Sequence, residues 1–164
     1  CQQRKGTVVT VVLEFKRGFE GEKQEEKKEN CLSLKGCRVL LVEDNEINRE
    51  IALEMLREIG VDAESAVNGE ECINMLLSHD RGYYSAVLMD IQMPVMDGYE
   101  AARKIRSFSD PLKRNIPIIA MTANAFEEDR QKAFRSGMNS HISKPIDTKL
   151  LTATLQSCLH ERER

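Results

Sequence analysis

Between residues 36 and 160, short continuous apolar runs alternate with stretches whose apolar residues recur every three or four positions. The runs are Arg38-Val39-Leu40-Leu41-Val42, a weaker one from Val61 to Ala66, Ala86-Val87-Leu88-Met89, Ile116 to Met121, and the short His141-Ile142-Ser143. The continuous runs read as strands buried on both faces, the habit of a parallel sheet, whereas His141-Ile142-Ser143 is a short, poor strand signal. The first intervening stretch carries Ile47, Ile51, Met55 and Ile59 at steps of four, which predicts a helix with these residues on one face. Asn45 is suited to cap its start, and Gly60 to stop it as a C′ glycine. Asn68-Gly69 marks a turn before a helix over 70–77, and Asp97-Gly98 precedes another over 99–105. Asp110-Pro111 reads as a break in the chain. A further helix contains Phe126, Arg130, Ala133 and Phe134. Its first turn holds Glu127, Glu128 and Asp129, favourable to the helix dipole, and Gly137 ends it. The last helix runs over 147–160 with Leu151, Leu155 and Cys158 on one face.

Strand then helix, five times over, predicts an α/β fold with a parallel sheet and helices on both faces. Right-handed crossovers restrict the strand orders. The simplest candidate is a doubly wound five-stranded sheet of order 2-1-3-4-5, whose switch point sets the ends of strands one and three side by side. Glu43, Asp44 and Asp90 would then meet in one crevice. This unit spans residues 36–160, followed by a tail over 161–164. Ahead of it, Gly6 to Phe15 is β-branched and reads as a remnant strand of a preceding domain. Residues 16–35 read as a charged linker, with five charges of each sign in positions 16–29.

Composition narrows the function classes. Hydrophobic residues make up 41% of the chain, enough for a core. The net charge of -3 offers no electrostatic case for nucleic acid or an anionic membrane surface. No apolar run approaches the ~20 residues of a membrane span, and no signal peptide is evident. Five cysteines without a C-x-x-C spacing read as reduced small hydrophobes of a cytoplasmic protein. A start at Cys1 instead of methionine predicts a piece of something longer.

The chemistry lies at the strand ends. Three carboxylates within a few ångströms repel one another, and a hard divalent cation with oxygen ligands resolves the repulsion. Mg²⁺ is held by one or two carboxylates together with water and phosphate oxygens, so the cluster implies a phosphate-handling site. Thr122 ends the fourth strand with a hydroxyl, and Lys144 ends the fifth with a point cation for phosphoryl oxygens. Singly, Asp90 could be a turn residue, Thr122 a helix cap and Lys144 a surface lysine. Together they are the parts of an aspartyl-phosphate reaction.

With these residues in hand, the chain resembles the receiver domain of two-component response regulators over about residues 36–160. The motifs that carry the likeness are Leu41-Val42-Glu43-Asp44-Asn45, the stretch from Met89 to Gly98, Ala120-Met121-Thr122-Ala123-Asn124-Ala125, and Lys144-Pro145. The resemblance implies that Asp90 accepts a phosphoryl group from a phosphohistidine on a kinase or phosphotransfer domain. It implies Mg²⁺ (or Mn²⁺) held by Glu43, Asp44, Asp90 and the backbone carbonyl of Gln92. Thr122 and Lys144 would contact the phosphoryl group, and the Lys144–Pro145 bond would be cis, as a bond to proline can be. Gln92 and Asn124 stand where the family tunes acyl-phosphate lifetime. As neutral amides, neither is a strong base toward water.

The family's switch couples movement of Thr122 to an aromatic residue three positions before the lysine. That position is His141 here, either a strand-edge packing residue or a titratable ring that makes signalling sensitive to pH. The exposed face of the last strand and helices is the partner surface the family suggests. Gly6 to Phe15 is similar to the final strand of a sensor kinase ATP-binding domain. Kinase end, linker and receiver follow the order of a hybrid histidine kinase, although the chain has no phosphorylatable-histidine helix and no Gly-rich ATP lid. Its only catalysis would be its own phosphorylation and dephosphorylation. His79 and His160 read as solvated residues near helix ends.

Three other classes fit less well. A haloacid-dehalogenase-type phosphatase needs a second aspartate where Gln92 stands. A flavin carrier needs a phosphate loop where Glu43-Asp44-Asn45 stands. A pseudo-receiver interaction module would not need the full acid, hydroxyl and lysine set.

Overall fold

In the computed structural model, residues 33–123 and 126–163 are described. The remnant strand over 6–15, most of the 16–35 linker, and Asn124 lie outside the described residues. Five parallel strands, β1 (Arg38–Val42), β2 (Asp62–Ala66), β3 (Ala86–Asp90), β4 (Ile118–Thr122) and β5 (Ser140–Ser143), form one sheet of order β2-β1-β3-β4-β5. The sheet order and class are those expected from the alternation. Registers such as Val42↔Met89, Asp90↔Met121 and Thr122↔Ser143 align the C-terminal ends of the four strands that carry the candidate chemistry.

Alternate strand residues point to opposite faces, and the core divides accordingly. Leu40, Val42, Val87, Met89, Ile118 and Ala120 pack on one face. They meet α2 (Gly69–Ser78), α3 (Gly98–Arg106) and α5 (Glu127–Arg135) through Cys72, Leu76, Ala102, Ile105 and Ala133. Val39, Leu41, Leu88, Ile119, Met121 and Ile142 pack on the other. There α1 (Glu46–Glu58) contributes Ala52 and Leu56, and α6 (Thr148–Glu163) contributes Leu151, Leu155 and Cys158. Near-continuous apolar strands are what a sheet covered on both sides requires. Among the described residues no helix is long and apolar enough to cross a membrane.

The helix ends follow their sequence signals. Asn45 Oδ1 accepts from the Asn48 N–H at 3.1 Å, Asn68 Oδ1 from Glu71 at 2.9 Å, and Asp97 Oδ1 from Glu100 at 2.8 Å. Gly60 and Gly137 end α1 and α5 at φ +79° and +94°, left-handed conformations that glycine adopts without strain. At the opposite end of the sheet from the candidate site, the Arg106 guanidinium ties three segments together. It donates to the carbonyls of Gly137 (2.8 Å), Arg114 (2.5 Å) and Ile116 (2.8 Å) and to Asn139 Oδ1 (2.7 Å).

Three expectations need correction. The stripe Ile47, Ile51, Met55, Ile59 is not the buried face of α1. Ile47 is 69% and Ile51 52% exposed, whereas Ala52 and Leu56 are buried. Steps of four overshoot the 3.6-residue turn by roughly 40° each, so the stripe walks around the helix from solvent toward the core. Asp110-Pro111 does not merely break the chain: with Asp110 as cap and Pro111 in the first turn it opens a one-turn helix, α4 (Pro111–Arg114). His79 is half-buried instead of solvated. Its ring stacks on Tyr83 at 4.1 Å, and its Nδ1 lies 2.9 Å from the Met75 carbonyl oxygen. His160 is exposed.

Candidate functional site

Asp90 is the last residue of β3, and its central, fully covered strand makes it 6% exposed. Glu43 follows β1 directly and is 1% exposed, while the neighbouring Asp44 is open to solvent. Because β1 and β3 are paired, these three acids converge as the strand order implied. One carboxylate oxygen from each lies within 4.8 Å of the others. Lys144, just after β5, reaches across the sheet end. Its Nζ donates to Glu43 Oε2 at 2.6 Å and to Asp90 Oδ2 at 2.9 Å. Thr122, at the end of β4, is buried and lines the same cleft, and its carbonyl accepts the Lys144 N–H at 2.8 Å. The Lys144–Pro145 peptide bond is cis.

The cleft measures about 660 Å³ and also takes in Gln92, Asp97, Tyr99, Asp129 and Lys132. Lys132 Nζ rests 4.4 Å above the Tyr99 ring. Burial pushes the Asp90 carboxyl above the ordinary carboxylate range, assisted by the charge of Glu43. The Lys144 ammonium and the Gln92 N–H, 3.3 Å from Oδ1, pull the other way. For Lys144, burial works against the charged form, but the hydrogen bonds to Glu43 and Asp90 outweigh it and raise its pKa.

Two features of the site were not singled out from the sequence. Asn48 and Arg49, in the first turn of α1, grip the acidic pair. Asn48 Nδ2 donates to Glu43 Oε1 at 3.3 Å, and Arg49 donates to the carbonyls of Glu43 (3.0 Å) and Asp44 (3.3 Å). A five-residue spacing from strand end to helix first turn is the only signal that could have found them. Gly98 is the second. Its N–H bonds the Ile91 carbonyl at 3.0 Å, and a Cβ there would overlap the Asp90 carbonyl oxygen. His141 stands apart from the cleft lining, edge-on to Phe134 with centroids 6.5 Å apart. Burial lowers its pKa, aided by Arg130 and opposed by Glu127.

An all-oxygen set of three clustered carboxylates, one of them solvent-facing, suits a hard divalent cation better than a soft one. Carboxylates, a lysine and a hydroxyl around one buried aspartate can stabilise a phosphoryl group transferred to that aspartate.

Comparison with known proteins agrees with this geometry. The family model described as the response regulator receiver domain matches residues 39–156. Hybrid signal transduction histidine kinase K of Dictyostelium discoideum is 36% identical over 132 residues, covering 77% of this chain and 11% of that protein. Histidine kinase 5 of Arabidopsis thaliana is 34% identical over 177 residues, covering 92% of this chain and 19% of that protein. The chain thus spans less than a fifth of either relative. Among solved structures, the receiver domain of a sensor histidine kinase from Pseudomonas aeruginosa has a TM-score of 0.68 and 38% identity. The match covers 76% of this chain and 98% of that one, and that structure has a magnesium ion coordinated in its active-site cleft. A chain of the Saccharomyces cerevisiae co-crystal structure of the histidine phosphotransfer protein Ypd1 with the Ssk1 receiver domain matches with a TM-score of 0.67. Identity there is 31%, covering 77% of this chain and 90% of that one.

Proposed function

Because this chain belongs to the response regulator receiver domain family, a component of two-component phosphorelays, we propose that Asp90 is the residue that carries the phosphoryl group. The observation that carries this reading is the Lys144 ammonium, 2.9 Å from Asp90 Oδ2, with Glu43 and Asp44 clustered beside it. An Asp90 oxygen forms the new P–O bond as the P–N bond to a partner's histidine breaks. The electron pair of the broken bond leaves on the imidazole nitrogen, and a ring protonated on its other nitrogen departs neutral. Lys144 opposes the cost of burying the Asp90 carboxylate and stands where phosphoryl oxygens need a cation. The Thr122 hydroxyl is a donor to the same oxygens. Glu43, Asp44, Asp90 and the Gln92 carbonyl would hold Mg²⁺ or Mn²⁺, which when bound offsets the charge gathered on those oxygens. The Gln92 amide and Asn124, neither of them a strong base, would set the acyl-phosphate lifetime.

The donor is a phosphohistidine on a kinase or a histidine phosphotransfer protein. Its imidazole must enter the cleft mouth, so the partner surface must border that mouth. On α1, exposed Ile51 lines a second groove with Met55, Lys144, Pro145 and Ile146, and exposed Ile47 lies one turn earlier on the same helix. An apolar patch beside a polar cleft suits a partner that buries its own apolar face while presenting one histidine.

The test is an intact mass after incubation with Mg²⁺ and phosphoramidate. The expected product is one added phosphoryl group, labile to hydroxylamine and missing in Asp90→Asn. An adduct that persists in Asp90→Asn, or no adduct in the unaltered chain, overturns the reading.

A further inference from the structure

The Glu43 carboxylate is almost wholly buried, and its two oxygens are held from opposite sides of the cleft. Lys144 takes Oε2 at 2.6 Å from the end of β5. Asn48 takes Oε1 at 3.3 Å from the first turn of α1. The two holders differ in kind. Lys144 is a cation shared with Asp90, so a cation entering the site competes with it for the carboxylates, and a phosphoryl group draws it away. Asn48 is neutral, exposed, and anchored by its backbone N–H to the Asn45 cap. Its bond to Glu43 does not pass through Lys144. Next to it, Arg49 fixes the backbone that joins Glu43 to Asp44.

We propose that Asn48 is a positioning residue for the divalent cation, holding the Glu43 carboxylate in its ligating orientation when Lys144 turns to the phosphoryl group. This rests on the reading of Glu43 and Asp44 as holders of Mg²⁺. Residues that orient metal-ligating carboxylates contribute to metal affinity without touching the metal. A neutral donor suits the task, because it orients the carboxylate without adding a positive charge that would repel the incoming ion. When Lys144 is engaged elsewhere, Asn48 is the side-chain partner left to Glu43 among those bonded to it in this structure.

Mg²⁺ titration by calorimetry decides the point, in the unaltered chain, Asn48→Ala, Lys144→Ala and the double variant. Circular dichroism establishes that each is folded. The expected result is a loss of Mg²⁺ affinity of roughly tenfold in Asn48→Ala. The loss should be larger when the same substitution is made in the Lys144→Ala background, because Glu43 then keeps neither holder. A merely structural role for Asn48 would give the same factor in both backgrounds, and that result overturns the proposal. So does unchanged affinity in Asn48→Ala. If the unaltered chain itself takes up no Mg²⁺, the cation assignment falls and this inference with it. Binding in the unaltered chain with no effect of Asn48 sinks this inference alone.

Discussion

Val95 is the one described non-glycine residue in the left-handed region, at φ +69°, and its side chain is 77% exposed. A β-branched residue there pays a backbone cost that its few contacts do not repay. It sits in the turn between Pro94 and Met96, whose N–H reaches back to the Pro94 carbonyl at 2.8 Å, and the turn lies between Met93 and Asp97, which line the candidate cleft. Val95→Gly should therefore stabilise the chain by about 1 kcal/mol, read as a higher urea midpoint at constant m. His141 is a second residue-scale case. Burial and the nearby Arg130 make the folded ring bind its proton less readily than the unfolded one, against the opposing charge of Glu127. The folded pKa lies below the usual 6.5, so the unfolded chain binds more protons in the window beneath that value. Stability should rise with pH through this window and level off above it. Urea midpoints on both sides of 6.5 should show that slope in the unaltered chain and a flatter one in His141→Phe.

At the scale of elements, β1, β3 and β4 were legible because each is covered on both sides and so is apolar almost throughout, whereas the edge strands β2 and β5 are partly open and gave weaker signals. Asp90, Thr122 and Lys144 stand out at the ends of strands. The helices were less legible in the faces they present. In α1 a period of four passes for a stripe over two turns and then drifts, so the apolar residues nearest the site, Ile47 and Ile51, are those left outside. The Pro111 turn was hidden because proline signals a helix start as readily as a break. The approach of α3 to β3 could not be read at all, since only the fold brings Gly98 against the Asp90 carbonyl. There a methyl group meets backbone first, overlapping the Asp90 carbonyl oxygen and 3.0 Å from the Ile91 Cα, and a shift of the Met89 side chain, also at 3.0 Å, would relieve neither contact. Gly98→Ala should cost about 2 kcal/mol of stability from overpacking. It should also slow the proposed phosphorylation of Asp90 by tenfold or more, because the strand end itself must shift. A normal rate by intact mass in a destabilised variant would show that α3, and not β3, gives way.

Across the whole molecule, the sheet collects at one end what folding alone would keep apart. Two apolar layers are satisfied on the two faces of the strands. The open C-terminal edge holds Glu43 and Asp90 on the Lys144 ammonium, with Asp44, Asp97, Asp129 and Lys132 lining the same cleft. Without a cation, mutual repulsion of these acids must weaken the fold, and relief of that repulsion on binding is a source of affinity. Of the three clustered carboxylates, Asp44 is the one open to water, so its removal disturbs packing least. Asp44→Asn should therefore melt at a higher temperature than the unaltered chain in the presence of a chelator. In Mg²⁺ the order should reverse. The unaltered chain gains about 2.7 kcal/mol when the free ion exceeds its dissociation constant a hundredfold, and the variant gains little. Melting curves with chelator and with Mg²⁺ test both halves at once. If Asp44→Asn melts lower in chelator, the acidic cluster is not a strain on the fold, and its convergence needs an explanation other than the ion.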